Sequence, residues 1–302
     1  MTETSEALST GTIRLAAAPG AGVADFVEIL KPRVMSLVVF TAFVGLVVAP
    51  GHLHPVLAAV ALLCIAVGAG AAGAINMWYE RDIDALMRRT RTRPLPDQRL
   101  QPAESVVFGA GISTIGAVTI AAASNLLAAA VALATLVVYV GIYTPLKRRT
   151  PLSTVVGAIP GALPPIVGWA AASGEISAKA WTLFGIVFLW QLPHFLAIAW
   201  MFRDDYGRAR LPMLPVLEPD GRSTGRQAVL YAAALIPVSL APAPLHMAGQ
   251  LYFWGALVLG IAFLSVTFQF ARTRSTRDAR RAFFSSLAYL PLLWMLMIAD
   301  KM

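Results

Sequence analysis

The chain has 302 residues, 58% of them hydrophobic and 13% charged, with a mean hydropathy of +0.69. Globular domains are about 45–50% apolar and about 25% charged, so this composition excludes a water-soluble enzyme as the default reading, and a disordered chain with it. The net charge of +8 does not point to nucleic acid, because basic loops beside membrane spans give the same balance. The single cysteine, Cys64, excludes an intrachain disulfide.

A spanning helix needs roughly 20 mostly apolar residues. In chain order, nine segments meet that length: 34–50, 56–79, 104–123, 125–145, 151–172, 180–202, 227–248, 251–271 and 282–299. Pro160, Pro164 and Pro165 interrupt the fifth, and Pro237, Pro242 and Pro244 the seventh. Both are expected as kinked spans, because neighbouring helices can satisfy the carbonyls that proline frees. The basic residues fall in every second connection: 22 of the 24 Lys and Arg lie on one side, and only Lys179 and Lys301 on the other. The positive-inside rule then places the N-terminus in the cytoplasm and the C-terminus outside. The expected fold class is all-α: a polytopic membrane protein of nine transmembrane helices in one bundle, in the cell (cytoplasmic) membrane. Residues 1–25 lack the basic start and apolar core of a signal peptide and are expected as a mobile cytoplasmic arm. Residues 26–302 are expected as a single transmembrane domain.

The second span ends in AGAGAAGAINMWYERDIDALMRRTRTRPLP. Asn76, Glu80 and Asp84 are four apart, so on a helix they drift only about 40° per step and form one stripe, with Asp82 on another face. Carboxylates at the edge of the hydrocarbon are costly unless they face a cavity, a partner or a metal. Three oxygen-bearing side chains on one stripe suit Mg²⁺. Arg88, Arg89, Arg91 and Arg93 follow, and guanidinium forks match phosphate oxygens. Together they suggest a metal-bridged diphosphate site, although arginines after a span also serve simply as orientation signals.

The sixth span repeats the arrangement on the same side. It reads WTLFGIVFLWQLPHFLAIAWMFRDDYGRARLPMLPV, with His194 in mid-span and Asp204 and Asp205 at its end, flanked by Arg203, Tyr206, Arg208 and Arg210. Two acidic helix ends could hold a diphosphate between them through Mg²⁺. An intramembrane histidine is a site candidate by default, although a core histidine bonded to a carbonyl is an equally ordinary outcome. Tyr143 to Arg149 ends the fourth span on that side, where Lys147 could reach a phosphate as a point charge.

These blocks resemble the UbiA-type intramembrane prenyltransferase superfamily. NMWYERDIDALMRRTRTRPLP is similar to its first aspartate-rich motif, and YTPLKRRTPLSTVVGAIPGALPPIVGWAA and WQLPHFLAIAWMFRDDYGRARLPMLPV to two blocks of its haem O synthase branch. Two positions bear on this: Met77 stands where other branches often carry Asp, and Glu80 where this branch more often carries Asp. The resemblance implies a nine-span bundle around a central cavity. It implies farnesyl diphosphate bound through Mg²⁺ to Asn76, Glu80, Asp84, Asp204 and Asp205, with Arg88, Arg93, Tyr143, Lys147, His194 and Arg203 contacting substrates. It implies farnesyl transfer to a vinyl group of haem B, with water adding to give haem O and diphosphate. A haem A synthase is a possible partner beside the membrane lipid. Two alternatives stay open at this point: a prenyltransferase of phenolic or naphthoate quinone precursors, and an ion-coupled transporter. Charges gathered at cytoplasmic helix ends rather than at the midplane disfavour the transporter.

Overall fold

The protein is described by a computed structural model covering residues 21–302; the first twenty residues of the expected arm lie outside the described residues. Among the described residues the regular elements are all helices, with one isolated β-bridge between Ala248 and Lys301. In order they are α1 (Val23–Ile29), α2 (Pro32–Val48), α3 (Pro55–Leu86), α4 (Pro102–Ala123), α5 (Leu126–Val137), a π-helical turn (Val138–Tyr143), α6 (Thr144–Leu146), α7 (Ser153–Ala162), α8 (Pro164–Ser173), α9 (Ala178–Met201), α10 (Arg203–Arg208), α11 (Leu214–Leu217), α12 (Arg222–Leu240), α13 (Gln250–Thr273) and α14 (Thr276–Ala299).

Among the described residues seven helices are long and apolar enough to cross a membrane, and eight if α1 and α2, bent by 57°, form one broken span. The chain is therefore an integral, multi-pass membrane protein. The expected span 227–248 is the exception: α12 starts on Arg222, stops at Leu240 and is not among these helices. Pro242 and Pro244 lack the N–H groups that would carry the helix further. The expected kink in the fifth span is a break at Leu163, between α7 and α8, where Pro164 and Pro165 begin a new helix.

The second span departs most from expectation. It does not stop at residue 79 but runs 32 residues from Pro55 to Leu86, with Pro55 in its first turn and the His54 ring accepting from the Val56 N–H. At 1.5 Å per residue this is about 48 Å, longer than a ~30 Å hydrocarbon core, so its last turns project beyond it. Asn76, Glu80 and Asp84 thus share one continuous helix.

Side chains such as Val107, Val118, Val258 and Phe284 point outward and are exposed, as hydrocarbon requires. The interior is packed between helices. Trp169, Trp294, Tyr252 and Leu293 are fully buried in the largest apolar cluster. Beside them the Tyr252 hydroxyl donates to the Ser239 carbonyl at 2.7 Å, and Ser239 and Tyr289 share a hydrogen bond of 2.8 Å. Helix α2 meets α8 at small residues: a Cβ on Gly45 would overlap the Pro165 carbonyl, and one on Gly168 the Ala42 carbonyl.

Candidate active site

The C-terminal end of α3 carries three buried polar side chains: Asn76, Glu80 and Asp84 are 4%, 2% and 1% exposed. Each is held from a different part of the chain. Asn76 donates through Nδ2 to the Thr144 hydroxyl at 3.1 Å, and Thr144 donates to the Tyr139 carbonyl at 2.8 Å. Glu80 Oε2 accepts from Lys147 Nζ at 2.7 Å. Asp84 Oδ2 accepts from Arg93 Nη1 at 2.8 Å, and its backbone carbonyl is bonded by the Thr90 hydroxyl. Burial alone would favour a neutral Lys147, but Glu80 beside it outweighs that cost and raises its pKa above the ordinary lysine value.

The π-helical turn decides who reaches this cluster. It is followed directly by Thr144 and Lys147, which reach Asn76 and Glu80 on α3, and the Tyr139 and Tyr143 rings meet at a tilt of 41° with centroids 5.2 Å apart. The Tyr143 ring lies against Gly157, where a Cβ would collide with it. Tyr143 stands within electrostatic reach of Lys147, Glu80, Tyr206 and Arg89, and so belongs to the same cluster.

One member was not singled out from the sequence. Lys31 sits between α1 and α2 in the left-handed region, φ 53°, and its charge is felt with those of Arg93, Glu80, Asp84 and Lys147. The lysine stem runs along α3 at Gly73, where a Cβ would be in ordinary contact with Lys31 Cδ at 3.6 Å. The signal was present in the sequence as Lys31-Pro32, a cation fixed at a helix start, but it reads as an orientation residue until α1 and α2 are folded against α3.

The second acidic block joins through Asp205. It is buried, it accepts from the Arg88 backbone N–H at 3.3 Å, and it pairs with Arg208. Tyr206 accepts from Arg89 at 3.3 Å. The other expected members are placed elsewhere. Asp204 is exposed. The Arg88 side chain is exposed, and only its backbone contributes. Arg203 turns back on its own helix, donating to the Trp200 carbonyl at 2.9 Å and lying over the Trp200 ring. Asp82 faces outward and pairs with Arg148, as its position off the stripe predicts.

His194 lies three turns deeper on α9, between the rings of Trp190 and Phe283 at 5.1 and 4.9 Å. Its Nδ1 is 2.7 Å from Ser286 Oγ on α14. That hydroxyl also has the Phe283 carbonyl at 2.6 Å, an acceptor only, so its proton goes there and Nδ1 carries the shared proton. His194 is thereby held as the tautomer with a lone pair on Nε2.

The charged cluster combines three cations, Lys31, Arg93 and Lys147, with two carboxylates, Glu80 and Asp84. Among the described residues no three His, Cys, Asp or Glu side chains converge on one point as a complete metal cage. Mg²⁺ needs no such cage, since it keeps waters and takes one or two carboxylates plus substrate phosphates. Glu80 fits that role: its Oε1 is buried with no hydrogen-bond partner, although an unpaired buried carboxylate oxygen costs about 1–3 kcal/mol.

The chain is similar to known proteins in sequence and in fold. The profile of the UbiA prenyltransferase family matches residues 38–290. The chain is 48% identical over 283 residues to a protoheme IX farnesyltransferase of Parvibaculum lavamentivorans, covering 92% of this chain and 89% of that protein. It is 49% identical over 280 residues to one of Afipia carboxidovorans, covering 91% and 89%. A solved UbiA homolog from Archaeoglobus fulgidus, bound to GPP and Mg²⁺, superposes with a TM-score of 0.67 at 16% identity over 90% of this chain and 99% of that one, a likeness of fold.

Proposed function

Because the chain belongs to the UbiA prenyltransferase family, we propose that it transfers the farnesyl group of farnesyl diphosphate to a vinyl group of haem B, giving haem O and diphosphate. The observation that carries the donor half is the buried cluster of Glu80 and Asp84 with Lys31, Arg93 and Lys147 at the end of an apolar bundle. The acceptor rests on the relatives' names.

Glu80, Asp84 and Asp205, with Asn76, would hold Mg²⁺, which when bound would supply charge neutralisation for the departing diphosphate. Lys31, Lys147 and Arg93 bind the phosphate oxygens, and Tyr143 borders them. The bond from C1 of the farnesyl group to oxygen breaks, and the diphosphate keeps the electron pair. The π electrons of the haem vinyl group form the new bond to C1. The cation left beside the porphyrin takes up water and loses a proton, so the product carries a hydroxyl. Apolar walls keep water from C1 until the new bond forms. His194 contacts the haem from α9, its Nε2 turned to the acceptor by the Ser286 hydrogen bond. Asp204, Arg88 and Arg203 join only if the helix ends close over bound substrate.

We read nine spans, with the N-terminus cytoplasmic and the cell membrane as the location. Helix α12, roughly 28 Å long, crosses as the seventh span with its arginines at the basic face. A haem A synthase taking up the product is the expected partner.

The direct test combines the purified protein in detergent with haem B, farnesyl diphosphate and Mg²⁺. Mass spectrometry should show a haem heavier by one farnesyl group plus water, and no such product after EDTA. Diphosphate release with unchanged haem would keep the donor and reject the acceptor. Asp84→Asn and Asp205→Asn should each lower turnover by about 10²-fold, the scale of losing one electrostatic stabiliser; near-normal rates would remove that residue from the metal site. His194→Ala should weaken haem binding while diphosphate binding stays unchanged. Normal haem affinity and turnover in this variant would return His194 to the helix packing.

A further inference from the structure

Lys31 and Arg93 come to the acidic stripe from two separate segments, the end of α1 and the loop between α3 and α4. Neither segment is stiff by itself. Helix α1 has seven residues, too few to hold a helix alone. Apolar contact brings the two together: Ile29 of α1 packs with Leu95 and Leu100 of the loop and with Met77 of α3. Such contact is not directional, so it leaves the angle of α1 open.

Arg99 supplies the direction. On α1 its Nη1 pairs with Asp25, and its Nη2 donates to Glu28 Oε2 at 3.1 Å. On the loop its Nε donates to Asp97 Oδ2 at 3.0 Å, and Nη2 also to the Thr92 carbonyl at 2.9 Å. One exposed ion pair would contribute little, but here one planar fork makes four bonds to two segments and fixes their angle. Short backbone links carry that angle to the cations. The Arg99 N–H donates to the carbonyl of Pro94, next to Arg93, at 2.9 Å, and the Lys31 N–H to the Glu28 carbonyl at 3.1 Å. None of the four side-chain bonds of Arg99 goes to the acidic stripe, so its effect there is indirect.

We propose that Arg99 is a positioning residue: by bridging α1 to the α3–α4 loop it holds Lys31 and Arg93 together as one diphosphate-binding pair. The proposal rests on the donor half of the function above, not on the identity of the acceptor.

The test measures the affinity of farnesyl diphosphate, with Mg²⁺, for the wild-type protein and for Arg99→Met and Arg99→Lys. Arg99→Met should weaken binding by about tenfold, the scale of coupling between groups in one network. Arg99→Lys should do nearly the same, because lysine keeps the charge but not the fork. Full rescue by lysine would make Arg99 a simple attraction for the anion and overturn the proposal. In a chain that already carries Lys31→Met, adding Arg99→Met should cost about threefold or less, because one of the groups it positions is gone. An undiminished cost in that background overturns the proposal. If Lys31→Met and Arg93→Met weaken binding and Arg99→Met does not, the donor site stands and the proposal falls. If none of the three weakens it, both fall. A second readout needs no ligand. Hydrogen exchange of the α1 amides should quicken in Arg99→Met while that of α9 stays unchanged. Unchanged exchange in α1, or an equal rise in every helix, also overturns the proposal.

Discussion

Replacing Glu80 with Gln lowers turnover by about 10²–10³-fold, the loss seen when one stabilising group aimed at developing charge is removed. Two geometric facts combine here. Oε1 is buried without a partner, so it is the oxygen free to meet a cation, while Oε2 holds Lys147 in place. Glutamine keeps the shape and removes the charge, and so it weakens the metal contact and releases the lysine together. Binding and chemistry are separated by measuring farnesyl diphosphate affinity with and without Mg²⁺: the variant should lose most of the metal-dependent increment. The same variant carrying Lys147→Met tests for indirect damage, since it removes the lysine left unpaired. If the double variant recovered wild-type turnover, Glu80 would be a structural partner of Lys147 and nothing more.

Gly168→Ala damages the protein by a different route. Its Cβ would overlap the backbone carbonyl of Ala42, and a backbone cannot move aside as a side-chain end can. Membrane helices gain little from apolar burial against lipid, so close contact through small residues is a main source of their association. Overpacking a tight core costs about 1–3 kcal/mol, and the seam between α2 and α8 should stand at the upper end. The expected result is a clear drop in the thermal midpoint in detergent, and lower recovery from membranes. Gly111→Ala is the matched control, because a Cβ there meets nothing within 4 Å. Equal midpoints for the two variants would show that α2 and α8 do not pack as described.

Membrane character, helical class and the acidic stripe were legible in the linear chain, because each rests on local spacing. A run of apolar residues needs no partner to be recognised, and Asn76, Glu80 and Asp84 align by helix geometry alone. Asp82 was placed on another face by the same rule, and it pairs outward with Arg148. The break at Leu163 follows from the fixed geometry of Pro164 and Pro165. The order of basic loops and the long blocks shared with the prenyltransferases were equally readable.

Only the tertiary structure decided which of the many cations stand beside the acidic stripe. Every arginine after a span looks alike in sequence, yet Arg93 returns to Asp84, Arg203 folds back on Trp200, and the Arg88 side chain stays exposed. Lys31 arrives from 49 positions before Glu80, and Lys147 from 67 positions after it. Their convergence depends on a left-handed residue at the start of α2 and a π-helical turn before α6. Both features are small departures from regular backbone, stabilised by contacts with distant helices, so no local pattern announces them. The tautomer of His194 has the same origin, since Ser286 lies 92 residues away on another helix. Local periodicity fixes what each helix presents, and long-range packing fixes which of those groups meet.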